Sequence, residues 1–163
     1  MKTPPSSRGP RPGSLVRVEG IDYADLGEHF GYALKRAQIG SFEAFARATR
    51  GSSSLEEITP PRYTALVILA GNPGISQSEL GEVLGTARSG AMMLADWLEQ
   101  RGLAERRHKP QDGRAWGLFL TTKGETLVRK LKRSVRAHDL KFAERLDPAE
   151  RRELLRLLEK LTG

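Results

Sequence analysis

The chain has 163 residues, 38% of them hydrophobic, no cysteine and a formal net charge of +7. This length accommodates one core, with at most an oligomerisation arm added, and the lack of cysteine excludes a disulfide framework, a thiolate metal site and a thiol redox switch. No run approaches the ~18 apolar residues that a membrane span needs, and the N-terminus lacks the apolar centre of a signal peptide, so a soluble, cytoplasmic protein is expected.

Residues 1–20, rich in Pro, Gly, Ser and Arg, bury too little surface to offset the entropy of ordering and are expected to form a disordered basic tail. Added non-specific DNA affinity, a fold over a partner subunit and an inert extension all fit that composition. From Leu26 onward, apolar residues recur at helical spacing through Phe30, Ala33, Leu34 and Ala37, and less regularly through Phe42, Phe45 and Ala46 to Arg50. The spacing predicts a first long helix that Gly51-Ser52-Ser53-Ser54 ends. Thr59 is the expected N-cap of a second helix with Pro60 and Pro61 in its first turn, Leu66, Val67, Leu69 and Ala70 in the core, and Gly71-Asn72-Pro73-Gly74 as its stop.

Ser76 with Glu79 three positions later has the spacing of a capping box, which predicts a short helix to about Leu84 with Leu80 and Val83 facing inward. Gly85-Thr86 makes a turn, and the next helix begins near Ala87. Ala91, Leu94, Ala95 and Leu98 fall on one of its faces, and Gly102 stops it at the C′ position. The opposite face of its first turns carries Arg88, Ser89 and Met92. Two short helices joined this way read as a helix-turn-helix, whose second helix enters the major groove by its N-terminal end. Thr86, Arg88, Ser89 and Met92, with Gly90, are therefore base-contact candidates. Arg88 leads them, because a guanidinium can pair in bidentate fashion with guanine O6 and N7.

Gly102 to Thr121 reads as a β-hairpin with a cationic tip, Lys109-Pro110-Gln111-Asp112-Gly113-Arg114. Pro110 cannot donate to a strand ladder and Asp112-Gly113 tolerates positive φ, so the chain is expected to reverse there. Leu118 and Leu120 alternate with Gly117 and Phe119, so one face is expected to pack on helices while the tip, with Lys109 and Arg114, projects. Such a tip suits a minor groove or a phosphate ridge. A solvated surface hairpin has the same local features, and the charge distribution favours the DNA reader. Arg101 to Arg136 holds 11 Lys or Arg against 3 Asp or Glu, whereas Ile21 to Gln100 holds 6 against 10. Positive charge segregated in this way is what a phosphate-facing surface requires.

The helix predicted from Thr122 spaces Leu127, Leu131, Val135, His138, Phe142 and Leu146 by threes and fours. A last helix after Asp147-Pro148 carries Leu154, Leu155, Leu157, Leu158 and Leu161. One small core can hardly absorb both stripes, which points to a homodimer; coverage of the chain's own domain is the alternative. An enzyme finds little support. His29, His108 and His138 lie far apart without a metal-ligating partner at usable spacing, and there is neither a nucleophile elbow nor a glycine-rich phosphate loop. No catalytic residue, metal site or cofactor is expected.

Several of these segments together resemble the MarR family of bacterial transcriptional regulators, over roughly Leu26 to Leu161. The wing carries the most specific match: Asp112-Gly113-Arg114 followed by Leu118-Phe119-Leu120-Thr121 fits the family's Asp-x-Arg tip and Leu-x-Leu-Thr strand. Ile58-Thr59-Pro60, Gln77-Ser78-Glu79-Leu80 and Leu98-Glu99-Gln100-Arg101-Gly102-Leu103 add to it. Two positions depart from the pattern: Met93 stands where the family often has an Arg, and Trp97 where Arg or Lys is commoner. The resemblance implies a mainly α protein with a small β-hairpin wing, an α+β winged helix-turn-helix with N- and C-terminal dimerisation helices. Residues 21–163 are then a single domain, with a DNA-binding lobe at 58–121 and a helical dimerisation lobe from 21–50 and 122–163. It adds Ser76 and Gln77 to the DNA-contact candidates, sends Arg114 into the minor groove, and gives Asp112 the task of orienting a basic neighbour; a plain turn residue fits Asp112 equally.

By the same resemblance, the chain is a repressor of transcription that sits as a homodimer on a palindromic double-stranded operator. A small aromatic acid, phenol or aromatic acyl-CoA releases it by favouring a misfitting spacing of the recognition helices. Ligand candidates are His29, Tyr32 and Arg36 along one face of the first helix, with Arg62 and Tyr63 from the second; each is equally a residue type that packs or solvates. Gly27 and Gly31 on the first helix leave room for a close helix or a ligand. The rival readings are a regulator without a small-molecule effector and a non-specific architectural DNA-binding protein, whose wing and tail give salt-sensitive affinity for any duplex.

Overall fold

The computed structural model describes residues 20–49, 57–109 and 112–163, without the side chains of residues 112–114. Its elements are a 3-10 turn (Ala24–Glu28), α1 (Phe30–Thr49), α2 (Pro60–Gly71), α3 (Gln77–Val83), α4 (Arg88–Gln100), β1 (Ala104–Lys109), β2 (Asp112–Leu120), α5 (Thr122–Phe142) and α6 (Pro148–Thr162). The chain divides into two compact units, one from the chain up to Phe45 with Asp139–Gly163, the other from Ala46–His138. The tail to residue 19, the expected stop at Gly51-Ser52-Ser53-Ser54 and the tip at Pro110-Gln111 lie outside the described residues.

The second unit holds the helix-turn-helix and the hairpin. Thr59 takes the N-cap position of α2 through extended backbone alone, with proline following it, and its side chain makes no capping bond. Ala65, Leu66 and Leu69 are buried, Val67 is half-buried, and Ala70 is exposed, against expectation. Ser76 caps α3 with the complete box. Leu80 of that helix is fully buried, but Val83, expected inward, is 55% exposed at the last position of the helix. Ala91, Ala95 and Leu98 line the buried side of α4, Leu94 is half-buried, and Gly102 follows the helix at φ +63° as its C′ residue.

The hairpin pairs Ala104 with Leu120, Arg106 with Leu118, and His108 with Trp116, with a register shift between His108 and Lys109. Its base is covered on both faces rather than one. Leu118 is buried beside Ala104, and Phe119 on the opposite face is buried too, its ring lying where a Cβ on Gly74 would meet it at 3.0 Å. Strand β2 also bonds to the segment before α3: the Gly74 N–H donates to the Leu118 carbonyl and the Leu118 N–H to the Ile75 carbonyl, each at 2.9 Å. On α5 the buried stripe is Gly124, Val128, Leu131 and Val135; Leu127, expected within it, is half-buried, and Ser134 Oγ donates to the Ala48 carbonyl at 3.1 Å.

In the first unit the expected continuous first helix is interrupted. His29 has extended backbone (φ −88°, ψ 117°) between the 3-10 turn and α1, so it does not share a helix face with Tyr32 and Arg36. Gly27 and Gly31 flank the break, and each weakens a helix by ~1 kcal/mol relative to Ala. A capping box of Asp147 and Glu150 starts α6. None of the α6 side chains is buried; Leu155 and Leu161 are exposed, as are Phe30 and Leu34 of α1.

Candidate nucleic-acid interface

The scaffold helix is held at its start by reciprocal bonds. The Ser76 N–H donates to Glu79 Oε2 at 2.7 Å, and the Glu79 N–H donates to Ser76 Oγ at 3.2 Å. Hydrogen bonds to the carboxylate from the Ser76 hydroxyl and from the Ser76 N–H, with Lys109 Nζ 4.0 Å away, hold the Glu79 carboxyl below its ordinary value. The Ser76 hydroxyl oxygen accepts from the Glu79 N–H while its O–H donates to the Glu79 carboxylate. Gln77 opens the helix and accepts at Oε1 from Arg106 Nη2 at 3.3 Å, which leaves its amide NH₂ as a donor.

The turn into α4 rests on Gly85 at φ +59° and on the Thr86 N–H bonding to the Gly81 carbonyl at 3.0 Å. Close approach at Gly90 is imposed by Thr86, whose Oγ1 occupies the space a Cβ there would need. A shallow groove of about 310 Å³ between α3 and α4 brings Gln77, Thr86 and Arg88 together. Ala87, at the N-cap of α4, supplies no side-chain acceptor, so the first-turn N–H groups point outward without a capping partner. Arg88 and Ser89 are exposed on that first turn, Met92 is 48% exposed, and Met93 is 70% exposed. Met93 was not among the contact candidates, although its place one residue beyond Met92 on the polar side of the helix signals it.

The shaft of the wing is tied to both helices by one side chain. Arg106 Nη1 pairs with Glu99 Oε2, its Nη2 lies 2.7 Å from Asp96 Oδ1 and contacts Gln77, and its backbone N–H donates to Glu99 Oε1 at 2.9 Å. No sequence motif announced this clamp; the clue was an Arg on the alternating face that carries Ala104. On the other face the Arg107 guanidinium lies 4.2 Å from the Phe119 ring centroid. Lys109 ends β1 and Asp112 begins β2 opposite it; Asp112 and Arg114 are placed in the hairpin only by their backbone.

The five ligand candidates fall into two groups. In the first unit, His29 pairs with Asp25 at 3.2 Å, and Tyr32 lies 6.5 Å from the Tyr23 ring with Arg36 5.8 Å over it. In the second, Arg62 lies 3.9 Å over the Trp97 ring and donates to the Glu57 carbonyl, while Tyr63 follows it in the first turns of α2.

A recognition-type helix with a bare N-terminus, a scaffold helix that braces it and a clamped basic hairpin define a winged helix-turn-helix DNA-binding module. The family model described as MarR family matches residues 57–115. The transcriptional regulatory protein for the hcr operon of Thauera aromatica is 34% identical over 139 residues, 85% of this chain and 82% of that protein. Two solved structures of the transcriptional repressor CouR are also similar. The one bound to a 23-mer DNA duplex has a TM-score of 0.79 at 34% identity, over 88% of this chain and 99% of that one. The one bound to p-coumaroyl-CoA has a TM-score of 0.75 at 33% identity, over 87% and 97%. The chain belongs to the MarR family of DNA-binding transcriptional regulators. Among the described residues no helix is long and apolar enough to cross a membrane.

Proposed function

We propose that this regulator is a homodimeric repressor that binds a palindromic operator and leaves it when an aromatic acid or its coenzyme A thioester binds. The observation that carries the effector reading is the likeness, across nearly the whole chain, to a repressor solved both with duplex DNA and with p-coumaroyl-CoA. Dimerisation is supported by Leu154, Leu155, Leu157 and Leu161 of α6 and by Phe30 and Leu34 of α1, large apolar side chains left in solvent by the isolated chain. On DNA, Arg88, Ser89, Thr86, Met92 and Met93 face base edges in the major groove, the methionines suiting thymine methyls. Ser76 and Gln77 hold the phosphates flanking them, and Lys109, Asp112 and Arg114 serve the wing in the minor groove. His29, Tyr32, Arg36, Arg62 and Tyr63 are the effector contacts of this reading.

The test is titration of p-coumaroyl-CoA, and separately of p-coumarate, into the protein bound to a selected operator, followed by fluorescence anisotropy. Release by either at low micromolar concentration, with coupling of about 100-fold or ~2.7 kcal/mol, supports the reading. Retention of DNA at saturating concentrations of both, and of a panel of simple benzoates and phenols, favours a regulator without a small-molecule effector.

A further inference from the structure

Trp116 is an oddity of the wing. The side chain is 56% exposed although it lies on a strand whose next two residues toward the core, Gly117 and Leu118, are buried. Its ring is 4.1 Å, centroid to centroid, from the imidazole of His108, its register partner across the ladder. We propose that the His108–Trp116 pair is an apolar DNA-reading platform of the wing, which lies against the deoxyribose walls of the minor groove and selects operators by the width of the groove beside each half-site. This rests on the reading above, in which the hairpin enters DNA.

Placement is the first argument. Strand alternation puts Trp116 and His108 on the same face as Leu118 and Arg106, one rung further toward the tip. Arg106 ties that face to Gln77 of the scaffold helix and to Asp96 and Glu99 of α4. The platform therefore sits on the side of the wing turned toward the helix-turn-helix, just beyond the last rung that protein covers. It is also pre-organised. Leu118, two residues on, is bonded to both Gly74 and Ile75, so holding the indole against a ligand orders little additional chain.

Chemistry supplies the second argument. Cations flank His108 in β1, Arg107 on the strand's other face over Phe119 and Lys109 past the register shift, so the aromatic pair sits on a cationic strand, which suits a surface of sugar carbons edged by phosphates. Stacking and sugar contact are nearly independent of salt, unlike a lysine on a phosphate. The two rings are inclined to each other by 38°, and the wedge they form touches both walls only where the groove is narrow, the shape of A-tracts. The indole N–H is left to donate to a phosphate oxygen.

The experiment uses the full chain on two versions of one selected operator, with A·T-rich or G·C-rich segments flanking each half-site. The sequence holds two tryptophans, so a Trp97→Phe chain that still binds the operator reports Trp116 fluorescence alone. The expected results are a quench or blue shift of that emission on saturation with the A·T-flanked duplex, and about tenfold weaker binding of that duplex by Trp116→Ala. The loss is about threefold or less on the G·C-flanked duplex, the salt slope is unchanged, and Trp116→Phe keeps most of the preference. Equal losses on both duplexes, unchanged affinity or unmoved emission would overturn the platform. If Trp116→Ala does not fold, the emission and the Phe variant decide alone. A wild-type chain that prefers no duplex refutes the operator reading instead, so the two failures are told apart.

Discussion

The guanidinium of Arg62, in the first turn of α2, lies 3.9 Å from the centroid of the Trp97 ring on α4, and Arg101 approaches the same ring at 5.4 Å. Arg62 also donates to the Glu57 carbonyl at 2.5 Å, and Arg101 pairs with the Glu57 carboxylate at 2.5 Å. One residue proposed to contact the effector is thus stacked on the helix proposed to read DNA. A double-mutant cycle of Arg62→Gln and Trp97→Leu is expected to give a coupling of ~0.5–1 kcal/mol by denaturant unfolding. The single variants should also respond less steeply to any effector that releases the wild type. Additive unfolding energies would mean that the stack contributes nothing.

Arg106→Ala removes the side chain that joins wing, scaffold helix and α4, and leaves the partly buried Glu99 without its cation. The expected loss is ~1–3 kcal/mol in unfolding free energy, with weaker operator binding because the wing is no longer held at its angle. Arg106→Lys should not restore either property, since an ammonium cannot reach three partners with the geometry of a guanidinium. Chemical denaturation and anisotropy on the same preparations check both statements.

Glycine at 117 is required by space. A Cβ there would lie 2.5 Å from the Gly74 carbonyl oxygen, a backbone atom held by the bond between Gly74 and Leu118. Gly117→Ala is expected to destabilise by ~1–3 kcal/mol. Gly31→Ala is the control: nothing among the described residues stands within 4 Å of the added methyl on the exposed side of α1, so the isolated chain should gain up to ~1 kcal/mol from helix propensity. A loss of dimer at Gly31→Ala would locate a close neighbour from the second subunit.

Much of this frame was legible from local chemistry. The capping box at Ser76, the C′ glycine at 102 and the buried side of α4 all follow from rules acting within a few residues, whereas Asp112-Gly113, expected to turn the chain, opens β2 instead. Burial that depends on distant partners was not legible. Ala70 and Val83 lie on apolar stripes yet are exposed, and Phe119 is buried by Gly74, 45 positions earlier in the chain. The Arg106 clamp and the Arg62–Trp97 stack join side chains from different elements, so neither leaves a spacing in the sequence. The interruption at His29 was hinted at by two glycines, which apolar periodicity alone overrode.

Acid should loosen the scaffold helix first at its cap. The Glu79 carboxyl is held below its ordinary value of 4.5 by the bonds to Ser76 and by Lys109. Its stabilising contribution is therefore complete above that ordinary value and is lost as pH falls through the lowered one. Glu79→Gln should differ in stability from the wild type by a constant amount near neutrality, and the difference should begin to narrow as pH falls below about 4.5. A gap that does not narrow in acid would contradict the cap assignment.

The central claim, a dimer that reads sequence through two helix-turn-helix modules, is tested most directly by selection of duplexes from a random library at fixed salt, followed by affinity measurements on the enriched and the unselected pools. The account predicts an inverted repeat whose half-sites lie one or a few helical turns apart, bound ~10³-fold or more tighter than random duplex. Enrichment of no motif, with equal affinity for both pools and a steep salt dependence, would contradict it and leave a non-specific architectural protein.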